Sequence, residues 1–151
     1  MRATATWVAG AVISVVLMLP SPARSEPWFG PPIVSEVPAG FSQVLVFDFT
    51  MDGQADVVLR FGNHLSLLPN DGAGHFGASA ELPGLFRDVA WGDLNGDGRP
   101  DLAALSTDYR HVSRYRNTGG RFVLESIVYV GGTERIALGD LDEDGYCDLA
   151  T

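Results

Sequence analysis

A single cysteine, Cys147, stands in the 151-residue chain, so no disulfide framework can form within it. No thiol lies near the apolar N-terminal stretch to carry a lipid, which argues against a lipoprotein. That stretch, Trp7 to Leu19, is 13 residues long, too short for a bilayer span of roughly 20 residues. No convincing helical stripe appears after residue 25. Nucleophile elbow, phosphate-binding glycine loop and zinc signature are all absent. Cations are scarce: 10 Lys and Arg face 19 Asp and Glu, for a net charge of −9. Such an acidic chain is not expected to bind nucleic acid through its phosphates.

The N-terminus reads as a signal peptide. Arg2 precedes the apolar stretch, and Ala23 and Ser25 place small residues three and one before a cut at Glu26. Residues 1–25 would then be removed, the protein would be secreted, periplasmic or extracellular, and it would keep no stable membrane span. Loss of Arg2 and Arg24 takes the charge from −9 to −11. Residues 26–40, EPWFGPPIVSEVPAG, hold four prolines and two glycines, a composition for an extended linker.

From Phe41 onward the sequence repeats. FSQVLVFDFTMDGQADVVL, FRDVAWGDLNGDGRPDLAAL and TERIALGDLDEDGYCDLAT align without gaps from Phe41, Phe86 and Thr133, with periods of 45 and 47 residues. Asn70 and Phe76 of the first copy correspond to Asn117 and Phe122 of the second. The units are 41–85, 86–132 and a partial 133–151. Val44 and Val46, Val89 and Trp91, and Ile136 and Leu138 sit two apart before each acidic loop, as half-buried strands require. Short apolar runs follow each loop, and the Asn/Gly clusters at 70–74 and 117–120 predict hairpin turns. About four short strands per period of this length predicts an all-β fold of propeller-type blades of about four antiparallel strands, two complete and a third truncated.

The chemistry lies in the loops. In the central copy, Asp93, Asn95, Asp97 and Asp101 occupy positions one, three, five and nine, and Gly98 occupies position six. Arg99, at position seven, would contribute its backbone carbonyl. Carboxylates crowded in this way repel one another unless protonated, spread or neutralised, and a hard cation neutralises them. The third copy offers Asp140, Asp142, Asp144, Asp148 and the carbonyl of Tyr146. The first offers Asp48, Thr50, Asp52, Asp56 and the carbonyl of Gln54. These loop aspartates are 10 of the 19 acidic residues. An all-oxygen, flexible donor set suits calcium better than magnesium, and zinc or copper would want His or Cys. The expectation is up to three calcium sites, the first weakest because Thr50 offers only a hydroxyl. An EF-hand loop needs an acid at position twelve; here that position holds Leu59, Ala104 or Thr151.

The pattern D-x-[DN]-x-D-G-x-x-D followed by an apolar strand, with the NDGAGHF-type turn, resembles the FG-GAP/VCBS repeat family, seen also in the calcium-binding blades of integrin α-subunit propellers. The resemblance covers residues 41–151. It implies a β-propeller with calcium in hairpin loops, common in extracellular proteins that bind other proteins or glycans. Closed propellers have typically 4 to 8 blades, whereas two and a fraction are present. An open edge in the third blade invites pairing with another chain.

The leading expectation is therefore a non-enzymatic, calcium-stabilised module that binds an extracellular protein or carbohydrate. The alternative is an accessory propeller domain of a polysaccharide-active lyase or dehydratase, for which Tyr109, Arg110 and His111 are the candidate constellation. His64, His75 and His111 lie in or beside predicted turns and read as surface residues. Cys147, at loop position eight, should point away from the metal. Trp28, Trp91 and Phe86 read as linker and core aromatics.

Overall fold

The computed structural model describes residues 40–77 and 80–151; the expected signal peptide and nearly all of the proline-rich linker lie outside them. Ten strands follow one another: β1 (Phe41–Phe47), β2 (Asp56–Phe61), β3 (His64–Leu68), β4 (Ala80–Leu82), β5 (Phe86–Gly92), β6 (Asp101–Ser106), β7 (His111–Asn117), β8 (Phe122–Tyr129), β9 (Ala137–Gly139) and β10 (Asp148–Ala150). They form two four-stranded sheets, in the orders β1-β2-β3-β4 and β5-β6-β7-β8, and a two-stranded sheet of β9 and β10. Every pairing is antiparallel. The chain between Phe41 and Thr151 is all-β, with propeller-type blades in sequence order, and no helix occurs among the described residues.

Burial explains the strand compositions. The second strand of each complete blade has neighbours on both sides and is apolar throughout its centre: Val57, Val58 and Leu59 in β2, and Leu102, Ala103, Ala104 and Leu105 in β6, are all at most 3% exposed. A strand covered on both faces loses the alternation that a half-solvated strand keeps. β1 does alternate, with Leu45 packed on the core and Val44 and Val46 at 39% and 44% exposed. Val44 and Val46 share one face of the strand, as their spacing predicts, and it is the more exposed face. Both are β-branched and apolar, but their faces are set by the pairing of Leu45 with Val58 and Phe47 with Asp56, and a shift of one residue exchanges the faces of a whole strand.

The first two blades meet face to face. Phe47, Phe49, Val58, Leu65, Leu67 and Leu82 pack against Phe86, Val89, Leu102, Ala104 and Tyr115 in one cluster. Phe86 is thus a core aromatic. Trp91 remains 44% exposed but stacks on Phe47, with centroids 4.8 Å apart and planes 15° apart. The opposite face of the second blade carries Ala103, Leu105 and Val112 against Ile136, Leu138 and Leu149 of the third. One side chain also bridges each junction. Gln43 donates to the carbonyl of Val89 (2.7 Å) and accepts from its N–H (3.3 Å). One repeat later, Asp88 accepts from the N–H of Ile136 at 2.9 Å. Gln43 and Asp88 occupy the same repeat position, as do Val89 and Ile136, so the bridge is itself repeated.

Candidate metal centre

Each acidic loop joins the first strand of a blade to the second, and all three coil alike. Positions four and six have left-handed backbone: Met51 and Gly53 (φ 65° and 85°), Gly96 and Gly98 (75° and 78°), Glu143 and Gly145 (63° and 90°). Glycine enters this region freely, and other residues at a cost of roughly 1–2 kcal/mol. The coil turns successive N–H groups onto the carboxylate at position one. Asp93 Oδ1 accepts from Gly96 at 2.7 Å, and from Asn95 and Asp97 at 3.2 Å, while Oδ2 accepts from Gly98 at 2.7 Å. Asp48 receives Met51, Asp52 and Gly53 in the same manner, and Asp140 receives Asp144 and Gly145. Burial pushes the Asp93 carboxyl up, but the four backbone donors outweigh it and hold it below the usual carboxylate range.

The carboxylate at position nine is the first residue of the following strand and lies deeper. Asp56 and Asp101 are fully buried. Asp56 Oδ2 closes the loop by accepting from Phe49 and Thr50 at 2.9 Å. Asp101 does so with Leu94 at 3.2 Å, and Asp148 with Leu141 at 3.0 Å. The second oxygen reaches across the sheet: Asp56 Oδ1 accepts from Asn70 N–H and Asp101 Oδ1 from Asn117 N–H, both at 2.8 Å. Burial raises the Asp101 carboxyl above its ordinary value, against the opposing hydrogen bonds from Asn117 and Leu94. Asn70 and Asn117 therefore belong to the frame of the site. In sequence they read only as turn residues; the signal available was their recurrence 14 and 16 residues after the ninth-position aspartate.

The remaining positions differ among loops. At position five, Asp52, Asp97 and Asp144 each accept from the N–H two residues on, at Gln54, Arg99 and Tyr146. Gln54, Arg99 and Tyr146, at position seven, are exposed. Thr50 Oγ1 donates to Asp48 Oδ1 at 3.4 Å, and Asn95 Nδ2 donates to Asp97 Oδ2 at 3.3 Å. Carboxylate oxygens of Asp140, Asp142 and Asp148 lie within 4.8 Å of one another, and they form the one acidic trio so gathered among the described residues. Two oxygens bound at 2.3–2.6 Å to one cation can stand no more than about 5 Å apart. The third loop meets that limit. The residues fit a hard cation by donor chemistry and, in the third loop, by spacing.

The loops touch their neighbours. Cys147 N–H donates to the Asp93 carbonyl at 3.1 Å, and Gly120 N–H and Asn117 Nδ2 donate to the Phe49 carbonyl at 3.0 and 2.9 Å. A Cβ on Gly96 would stand 2.4 Å from the Tyr146 ring, and one on Gly92 2.7 Å from Cys147 Sγ. Cys147 is thus a half-buried packing group directed at the neighbouring blade.

At the other ends of the strands, Asp108, Tyr109 and Arg110 form the β6–β7 turn. Asp108 braces it by accepting from Arg110 N–H at 2.9 Å and pairing with His111 Nδ1. The hydrogen bond from Arg110, followed by that from His111, lowers the Asp108 carboxyl to about 2. His64 and His75 are exposed, and His75 pairs with Asp71 at 3.2 Å.

Comparison with known proteins agrees with this architecture. The FG-GAP-like repeat profile matches residues 48–104 and 93–151. Among solved structures, a chain of the Photorhabdus luminescens Tc holotoxin pore is similar in fold, with a TM-score of 0.54 and 22% identity over 79% of this chain. The match spans only 6% of that chain's length. No curated protein matches significantly. With two adjacent repeats matched from Asp48 to Thr151, the chain belongs to the FG-GAP-like repeat family.

Proposed function

We propose that this protein is a secreted, non-enzymatic repeat module that uses calcium to fix its blade loops and presents the assembled blades to an extracellular protein or carbohydrate. The observation that carries the reading is the third loop, where oxygens of Asp140, Asp142 and Asp148 already lie within 4.8 Å of one another. Bound calcium would neutralise that trio, and Asp140, Asp142, Asp144, Asp148 and the Tyr146 carbonyl would hold it. The chain's own contribution is the left-handed coil, which directs backbone N–H groups at position one and leaves carboxylate lone pairs and the position-seven carbonyl for the ion. The equivalent sets are Asp93, Asn95, Asp97, Arg99 and Asp101 in the second loop and Asp48, Thr50, Asp52, Gln54 and Asp56 in the first.

Calcium that binds only the folded chain raises its stability by mass action, by about 2.7 kcal/mol at a hundredfold excess over Kd. The test is thermal unfolding followed by circular dichroism in calcium and in chelator, with Asp142→Asn as the control. A cooperative β transition that rises with calcium in the parent, and rises less in Asp142→Asn, supports the reading. A transition indifferent to calcium in both sinks it.

A further inference from the structure

All ten cationic side chains of this chain are arginine; it contains no lysine. The described arginines are not spread evenly. Arg60 lies near the end of β2, Arg87 near the start of β5, Arg110 in the β6–β7 turn and Arg135 just before β9. The topology puts all four at the ends of the blades away from the acidic loops. There, the segments that carry Arg60, Arg87 and Arg135 meet at one buried carboxylate, because Arg60 pairs with Gln43, Gln43 bonds Val89, and Asp88 bonds Ile136. Asp88 is 4% exposed in its side chain and pairs with Arg135 Nη1 at 3.5 Å, and it already accepts from the Ile136 N–H. Arg60 and Arg87 have no ion pair among the described residues, and the Nε of each is buried without a hydrogen-bond partner. Arg114 Nε is likewise without a hydrogen bond, but Arg114 and Arg116, on β7, share Glu125, whereas Arg60 has among the described residues only the Gly62 carbonyl, at 2.8 Å from Nη1.

Arg87 sits at an irregularity of the β5–β6 pairing. Phe86 pairs with Ser106 and Asp88 with Leu105, so Arg87 is the extra residue of a bulge. Bulges re-aim a side chain out of the strand alternation. Its guanidinium lies over the Tyr109 ring, 4.6 Å from the centroid, which orients the planar fork. Burial lowers the Arg60 guanidinium, and of its charged neighbours Asp88 opposes that while Arg135 and Arg87 add to it. At this end Arg60, Arg87, Arg110 and Arg135 stand against Asp88, Asp108 and Glu134, which leaves a small positive excess in a strongly acidic protein. Tyr109, under Arg87, is 38% exposed.

We infer that Arg60, Arg87 and Arg135, with Tyr109 stacked against Arg87, form an oxyanion-binding site for an acidic polysaccharide carrying carboxylate or sulfate groups. Guanidinium forks match the planar oxygens of a carboxylate or a face of sulfate, and the exposed part of the Tyr109 ring offers apolar surface to the sugar. The inference rests on the proposed reading of the chain as a partner-binding module and names the chemistry of the partner. Distance from the acidic loops keeps the site separate from calcium.

The test is binding of the whole chain, in calcium, to oligogalacturonate, dextran sulfate, neutral dextran and polyglutamate by isothermal titration. Binding to either acidic glycan and not to neutral dextran is expected; the stronger of the two identifies carboxylate or sulfate as the recognised group. Arg87→Gln and the exposed Arg135→Gln should each weaken binding roughly tenfold, the factor that a charge-assisted hydrogen bond supplies. Arg116→Gln and Arg121→Gln, with the same change of charge elsewhere, should not. Equal losses at all four positions, binding of polyglutamate alone, or binding of neither acidic glycan would overturn the assignment. Repeating the titration in chelator separates this inference from the calcium reading: if stability proves indifferent to calcium while Arg87→Gln still weakens glycan binding, the site stands and the metal reading falls.

Discussion

The loops hold their shape through single residues whose backbone no other residue adopts easily. Gly98 has φ 78°, and a Cβ added there would meet no atom within 4 Å, so its requirement is purely conformational. Gly98→Ala should therefore lose about 1–2 kcal/mol in urea unfolding, the cost of left-handed backbone for a residue with a Cβ. Gly96→Ala meets the same penalty and also the Tyr146 ring. It should be the more damaging, and Tyr146→Ala should recover the difference between the two but not the shared part. Protons provide a second residue-scale test. Because the folded pKa of Asp108 is about 2 against an ordinary 3.8, its contribution is present above the unfolded value and is lost as pH falls through 2. The carboxyl carbon shift of Asp108 should titrate near 2, and His111→Ala should move the midpoint upward.

Along the strands, the recurring bridge between blades decides how the elements stack. Gln43 satisfies both backbone groups of Val89, and Asp88 satisfies the N–H of Ile136, at the same step of the repeat. Gln43→Ala leaves Val89 to find water at a junction that buries it, so a loss of about 1–3 kcal/mol is expected. Faster exchange of the Val89 amide than in the parent, with Ile136 unchanged, would locate that loss at the first junction. The acidic loops and about four antiparallel strands per blade could be read from the repeat. Which side of β1 faces inward could not: Val44, Leu45 and Val46 are all apolar, and only pairing with β2 distinguishes them. The role of Asn70 and Asn117 was likewise hidden, because their hydrogen bonds to Asp56 and Asp101 reach back 14 and 16 residues and exist only once the strands have paired.

For the whole molecule, one cluster joins the first two blades through Phe47, Leu65, Phe86, Leu102 and Tyr115. Leu102→Ala should cost about 2–5 kcal/mol, and amides of β2 and β6 should then exchange faster together, because the residue serves both sheets. Separate exchange of the two blades would show that they unfold independently.

The sequence alone determined what depends on spacing along the chain. Oxygen side chains at alternate positions, closed by a glycine, fix the donor order of each loop, and a period of about 45 residues with four short strands makes a blade. Those features are local, so they survive without knowledge of the neighbours. Tertiary structure decided what depends on distance across blades and strands: the gathering of Asp140, Asp142 and Asp148, the packing of Cys147 and Tyr146 on the preceding loop, and the meeting of Arg60, Arg87 and Arg135 near Asp88. Arginines separated by a repeat length carry no shared motif, and only the stacking of sheets brings their charges to one place.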